Sequence, residues 1–393
     1  MADRVIDGRG KLVMPGLINC HTHAYMSVFR NYADDLSFSD WLFGKIMPAE
    51  NRLTPEDAYW CNLLSCIEMI RTGTTCFLDM HMFGGQSVRA AADSGMRAVI
   101  SRGLASEPGE APAASRRLAE ALEEMDCAQG NPLITFLLAP HAIYSCDKDL
   151  LRHVAQLARA RGLGLHIHLA ESRAELDNCQ KAHGCTPVQY LDTLGFFDSP
   201  TIAAHCVHLT DEDIAILKKR GVCVATNPIS NMKLGNGFAP VGELLDAGVT
   251  VCIGTDGAAS NNALNMFREM GMLAQVHKGT AQNAQALPAA QVLHAATLAG
   301  AQALGLNKKI GSIAPGKQAD VIVLDLCQPH LQPLNNPISG LVYSATGMEV
   351  ETVMVRGNIL MENRRLNTID EQRVYTEMER IRRALFTTAG SLQ

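Results

Sequence analysis

The sequence predicts an α/β protein, a (β/α)8 TIM barrel with a small β-sandwich annex built from both chain ends. Three observations predict it. Between residues 17 and 257, eight short apolar runs alternate with helical patterns. Each run is nearly continuous in apolar residues, as expected of parallel strands covered on both faces. No G-x-G-x-x-G or Walker sequence follows an early run, which argues against an open doubly wound sheet of about five to seven strands. The resulting organisation is an N-terminal annex portion at 1–13, a barrel at 14–310, the rest of the annex at 311–365 and a closing helix within 366–393.

Residues 3–13 carry alternating apolar positions around the turn at Asp7 to Gly10, closed off by Met14, Pro15 and Gly16. The first barrel strand is LINCHTH, 17–23, followed by a long polar and aromatic loop over 24–53 that holds Trp41 and Glu50. A structureless loop of that length inside a compact protein is usually functional. Thr54 opens a helix with Pro55 at its first position, Asp57 completing a capping box, and Ala58, Cys61, Leu64, Cys66 and Ile70 at helical spacing up to Gly73. The strand TTCFLDM follows. Strand 97–104 precedes a helix around 113–125, and strand 134–141 precedes one around 147–161. Strands 163–171, 201–209, 222–228 and 249–257 complete the eight.

Beyond residue 311, GSIAPGKQADVIVLDL reads as a pair of short strands and ETVMVRGNILMEN as a hairpin turning at Arg356, Gly357 and Asn358. A helix at about 369–386 is expected to start on a Thr368-x-x-Glu371 capping box, with Val374, Met378, Ile381 and Leu385 on one face.

With 393 residues, 47% hydrophobic and 19% charged, the chain can bury a large core. A net charge of -6 leaves no electrostatic footprint for nucleic acid or an anionic membrane, so the partner is expected to be a small molecule. No apolar run approaches the roughly 18 residues of a membrane span, and MADRVIDGRG lacks a signal peptide's apolar core. The protein is therefore expected to be cytoplasmic, and its Met- and Leu-rich helices leave room for a homo-oligomer. The 12 cysteines are scattered without a C-x-x-C pair and are expected to be reduced, which points any metal site toward His and carboxylate.

The carboxyl ends of barrel strands share one rim, so residues placed there by different strands meet. Strand one ends in His21 and His23, strand four in His141, strand five in His168 and Glu171, strand six in His205 and strand eight in Asp256. Singly, a His is more often a satisfied interior group and an Asp before Gly a turn former. Together they form a set: His21, His23, His168 and Asp256 offer three nitrogens and one carboxylate, suited to Zn2+ or Fe2+ with a position left for water. His166 should support a ligand or pack deeper in the barrel, and His208 should be structural.

The motifs PGLINCHTHA, NYADDLSFSDWLFGKIMPAENRLTPEDAYW, EMIRTGTTCFLDM, APHAIYSC, HIHLAES, AHCVHL, NPISNMKLGNGFAPV and GTDGAASNN resemble the amidohydrolase superfamily over nearly the whole chain. Within it they resemble the 5'-methylthioadenosine/S-adenosylhomocysteine deaminase branch. HTH, HxHxxE and GTDG are generic to the superfamily. The PAE segment with APHAIYSC and NPISNMKLGNG is far more specific.

The resemblance implies one divalent ion, Zn2+ before Fe2+ or Mn2+, on His21, His23, His168 and Asp256. It implies Glu171, His205 and Asp256 as catalytic groups, with Glu171 protonating N1 of the purine. It also implies Glu50 on the ribose hydroxyls, His141 on the purine, and Arg102 with Arg116 or Arg117 on the homocysteine carboxylate, Arg116 being taken first. The activity implied is hydrolytic deamination at C6 of a nucleoside. The family's further N-terminal strands imply an annex that is short here, and Tyr25 stands where the family often has Pro, a change expected at the pocket floor. The rival readings are another amidohydrolase activity, such as guanine or aminopurine deamination or chlorotriazine hydrolysis, and a non-catalytic barrel scaffold. Glu50 and the arginines discriminate against the first, because a free base or a triazine offers neither ribose nor carboxylate.

Overall fold

In the computed structural model, residues 5–386 are described. The barrel strands are β2 (Leu17–Thr22), β3 (Thr74–His81), β4 (Arg97–Leu104), β5 (Ile134–Pro140), β6 (Gly164–Leu169), β7 (Thr201–His205), β8 (Cys223–Thr226) and β9 (Val251–Ile253), preceded by β1 (Lys11–Pro15). β2 to β9 pair in sequence order, all parallel, in one eight-stranded sheet. Every residue of β2, β3, β4 and β7 is buried, which is why these runs show no polar alternation. The seam between β9 and β2 is closed just past the strand ends. There the Asp256 N–H donates to the His21 carbonyl at 2.9 Å and the Thr255 N–H to Asn19 Oδ1 at 3.0 Å.

The capping box at Thr54 and Asp57 forms, and the helix it opens, Pro55–Arg71, ends just before Gly73. The helix expected at 113–125 is Arg116–Cys127, because Pro112–Ala114 makes a separate 3-10 turn and Ser115 supplies the cap. Asp147 caps Lys148–Arg161, and Gly162, at φ +64, ends it. The 24–53 segment is not the structureless loop expected. It folds as a 3-10 helix at Ala24–Phe29, a π-helical stretch at Asp40–Ile46 and the helix Met47–Glu50, which bury Trp41, Ile46 and Ala49. Neither of the first two has the 3.6-residue period by which helices are recognised in sequence.

The annex is a single antiparallel sheet among the described residues, in the order β1, β10 (Val321–Asp325), β11 (Val350–Val355), β12 (Asn358–Glu362), β13 (Arg365–Leu366). It is not the sandwich expected. Its inner face, with Ile322, Val350 and Val353, joins the main core with Met69, Ile70 and Phe267, so the barrel's helical layer serves as the second layer. The approach is close: a Cβ on Gly73 would lie 2.8 Å from Ile322 Cδ1. The buried Arg97 guanidinium on β4 pairs with Asp320 at 2.7 Å and ties the barrel to the annex.

Residues 311–320 form turns rather than the first of two short strands, since Gly311 and Gly316 take positive φ and Lys317 Nζ bonds the Ile310 carbonyl and Ser312 Oγ. The β11–β12 hairpin forms as expected, with Arg356 at φ +50 and Gly357 at φ +83 in its turn. The closing helix is Glu371–Phe386, but Thr368 does not cap it. Asp370 accepts from the Arg373 N–H at 3.1 Å, while Thr368 bonds the Ser94 carbonyl and Glu371 is drawn to Arg71. The part of the C-terminal unit beyond residue 386 lies outside the described residues. All 12 cysteines are free, with Cys127 and Cys327 exposed. No described helix is long and apolar enough to cross a membrane.

Candidate active site

At the end of β2 the pairing with β3 shifts register between Asn19 and Thr22, the stretch that holds His21. The neighbouring strand must yield space there. A Cβ on Gly254 would lie 2.7 Å from His21 Cβ and 2.8 Å from its backbone nitrogen, so only glycine fits. His205 at φ +73 and Asp256 at φ +63 sit in the left-handed region, costly for non-glycine residues and typical of positions held for function.

The ligand atoms of His21, His23 and His168 lie within 4.8 Å of one another, as do those of His21, His205 and Asp256. His23 Nε2 stands 3.1 Å from His168 Nε2, and Asp256 Oδ1 is 3.5 Å from His21 Nε2 and 3.4 Å from His23 Nε2.

The ring nitrogens turned away from this centre determine what the others present. His23 Nδ1 faces the Met80 carbonyl at 2.7 Å and His168 Nδ1 faces the His141 carbonyl at 2.8 Å. A carbonyl only accepts, so both Nδ1 atoms carry the proton and both Nε2 atoms present lone pairs. For His21 the chain is longer. Ser101 Oγ donates to the Asp79 carbonyl at 2.8 Å, so it accepts from His166 Nδ1 at 3.1 Å. His166 Nε2 then accepts from His21 Nδ1 at 3.0 Å, leaving His21 Nε2, which has no hydrogen-bond partner among the described residues, as a third lone pair. His205 Nδ1 faces Asn231 Oδ1 at 2.8 Å.

Burial disfavours the charged form of His21, His166 and His168. Burial brings His21 down to about 4, against the pull of Asp256, and burial with the neighbouring imidazoles keeps His168 and His166 well below their usual range. Burial alone would raise Asp256, but the imidazoles around it, His21 first, outweigh burial and hold the carboxyl well below its usual range. Its Oδ2 accepts from Ser230 Oγ at 2.6 Å and its Oδ1 from the Gly257 N–H at 2.8 Å. Three imidazole lone pairs and a carboxylate oxygen thus converge with no proton to share among them. Such a set is self-repelling unless a cation lies between, and the donor types fit a divalent ion of the zinc kind.

Glu171 lies at the same mouth, 5% exposed, with Oε1 accepting from Asn236 Nδ2 at 3.2 Å and 3.9 Å from His205 Nδ1. Burial, reinforced by the Asp256 charge and opposed by Asn236, lifts its carboxyl to about 8, so it keeps a proton at neutral pH. Glu175 holds the backbone here, accepting from the Ala170 and Glu171 N–H groups.

The His141 ring centroid is 4.7 Å from that of His168, and its Nδ1 is 2.9 Å from Ser145 Oγ; burial, with the charges of His23 and Arg117, brings it down to about 3. Glu50 accepts the Tyr25 hydroxyl, and burial raises its carboxyl against the Tyr25 hydrogen bond and the charges of His23, Arg117 and Arg102. Arg102 is buried, with Nη2 on Glu120 Oε2 at 2.9 Å.

Arg116 is turned to solvent. Its side chain is 78% exposed and reaches only Glu120, whereas Arg117 is 22% exposed and its charge acts on His141, Glu50 and Arg102. Two adjacent helical residues point about 100° apart, so one faces the mouth and the other solvent. His208 takes no part in the cluster. Ser230, Asn231, Asn236, Ser101 and Glu175 were missed as residues, although the first three lie in the NPISNMKLGNG segment.

Eight parallel strands with imidazoles and a carboxylate at their carboxyl ends define a metal-dependent hydrolase barrel, and the chain belongs to the amidohydrolase family, which it matches over residues 12–360. More narrowly, it is 47% identical over 380 residues to the 5-methylthioadenosine/S-adenosylhomocysteine deaminase of Caldanaerobacter subterraneus subsp. tengcongensis, covering 96% of this chain and 88% of that one. Among solved structures it resembles an adenosine deaminase from Xanthomonas campestris with bound zinc, at 36% identity and a TM-score of 0.92, covering 96% of this chain and 87% of that one. It also resembles the zinc complex of atrazine chlorohydrolase from Arthrobacter aurescens TC1, at 26% identity and a TM-score of 0.89, covering 97% and 90%.

Proposed function

We propose that this protein hydrolytically deaminates C6 of the adenine ring in 5'-methylthioadenosine and S-adenosylhomocysteine, releasing ammonia and leaving the inosine analogue. The observation that carries the reading is the convergence of His21, His23 and His168 lone pairs on Asp256, beside a carboxyl, Glu171, that holds its proton at neutral pH. The deaminase relatives support the nucleoside as substrate. His21, His23, His168 and Asp256 would hold the ion, and the zinc in two solved relatives supports Zn2+ over Fe2+ or Mn2+.

A divalent ion held by these residues would acidify a water from ~15.7 to about 7, the chemistry that makes a nucleophile available at neutral pH. Asp256, ionised, accepts the proton of the attacking water. His205, steered by Asn231, hydrogen-bonds the oxygen as it closes on C6. Glu171 gives its proton to N1, drawing the displaced electron pair into the ring; ammonia leaves with the proton gained at Asp256, and the proton of the new C6 hydroxyl returns to Glu171, leaving the carbonyl and restoring the acid. His141 meets the purine. Arg102 and Arg117, rather than Arg116, meet the amino-acid carboxylate of the longer substrate.

Glu50 grips the ribose hydroxyls, which separates this reading from triazine hydrolysis. Glu50→Ala is expected to raise KM for nucleosides by about tenfold or more, the worth of a hydrogen bond to a charged group, and to leave KM for free adenine within twofold. Equal shifts would remove ribose from the assignment. The direct test is an ammonia-release screen: methylthioadenosine or S-adenosylhomocysteine is expected to give the highest kcat/KM, and a preference for guanine or dechlorination of a chlorotriazine would overturn the proposal.

A further inference from the structure

Glu50 ends a four-residue helix on the 24–53 segment, while the metal centre stands on the barrel rim, so the spacing between the two depends on what joins them. One side chain does so directly. Tyr25 follows the ligand His23 by two residues, is 1% exposed, and donates its hydroxyl to Glu50 Oε1. The residue before it is anchored at both backbone groups: the Ala24 N–H donates to Asp79 Oδ1 at 2.7 Å, and Ser65 Oγ donates to the Ala24 carbonyl at 2.6 Å. Its ring is walled by Phe83, centroids 5.5 Å apart, and meets the His23 ring edge-on at 6.4 Å.

We infer that Tyr25 is a positioning residue for substrate recognition, fixing the Glu50 carboxylate at a set distance from His23 so that a nucleoside gripped by its ribose presents its base to the metal centre. The inference rests on the reading of Glu50 as the ribose contact. A carboxylate rotates freely about its terminal torsion, and the fixed hydroxyl removes that freedom before substrate arrives. With Oε1 engaged, Oε2 is directed to the ribose. The chemistry recognised is a vicinal diol, and the tyrosine acts only through the carboxylate that accepts it.

The test compares methylthioadenosine with its 2',3'-dideoxy analogue. Tyr25→Phe keeps the ring in its wall and removes only the hydroxyl. It is expected to lower kcat/KM for the ribonucleoside about ten- to a hundredfold and for the dideoxy analogue less than twofold. An equal fall on both would overturn the inference, since a merely structural hydroxyl cannot sense the diol. A second comparison uses Glu50→Ala as background: adding Tyr25→Phe to it is expected to cost nothing further on the ribonucleoside, and an additive loss would overturn the inference in the same way. If Glu50→Ala by itself fails to separate nucleoside from free adenine, the ribose reading has failed. If it separates them but Tyr25→Phe penalises both nucleosides alike, only the role of Tyr25 has failed.

Discussion

Glu171→Gln is expected to lower kcat about a thousandfold, within the range of roughly 10² to 10⁴ for loss of a general acid, while the ion content stays that of the unaltered enzyme. The substitution is nearly isosteric and its amide can still meet Asn236, so the mouth of the barrel keeps its shape. What disappears is the ionisable proton. Burial places that proton on Glu171 at neutral pH, and in the proposed mechanism it goes to N1 of the purine as electrons enter the ring from the attack at C6. Steady-state ammonia release and elemental analysis of the same preparation check the prediction together. A kcat within tenfold of the parent would refute the acid role, and loss of ion along with kcat would move Glu171 among the ligands.

Removing the ion is expected to have the larger effect. Making hydroxide available at neutral pH corresponds to roughly 12 kcal/mol of nucleophile activation, so ion-free protein should show no measurable turnover and recover it when Zn2+ is returned. The same act has a structural consequence. His21, His23 and His168 turn their Nε2 atoms toward one another and toward Asp256, an arrangement that disfavours the empty fold. An ion present at a thousand times its dissociation constant adds about 4 kcal/mol to stability, visible as a higher melting temperature. Full activity after exhaustive chelation would contradict the account.

The barrel was legible because its strands are buried on both faces and therefore spell continuous apolar words; Arg97–Leu104 coincides with its sequence reading residue for residue. The candidate ligands could be picked out for a related reason. His168 and Asp256 are polar groups at or just past the ends of otherwise apolar runs, and the barrel brings such ends together. What escaped depends on direction and on long-range partners. Arg116 and Arg117 are adjacent and chemically identical, and only the helix start at Arg116 decides which one faces the site. Thr368 satisfies every local rule for a cap, yet Ser94, far away in sequence, takes its hydroxyl. Asn231 and Asn236 look like ordinary helix-end and turn residues until His205 and Glu171 are placed beside them. The annex was read as two layers because strands with one apolar face need a partner, and the sequence does not say that the partner is the barrel itself.

The account stands on one cation shared by residues from β2, β6 and the segment after β9. Elemental analysis of protein purified without added metal, compared with His168→Ala purified alongside, measures this most directly. One divalent ion per chain in the parent and a clear deficit in the variant is the predicted result. A parent that binds no divalent ion, even after incubation with Zn2+, would contradict it.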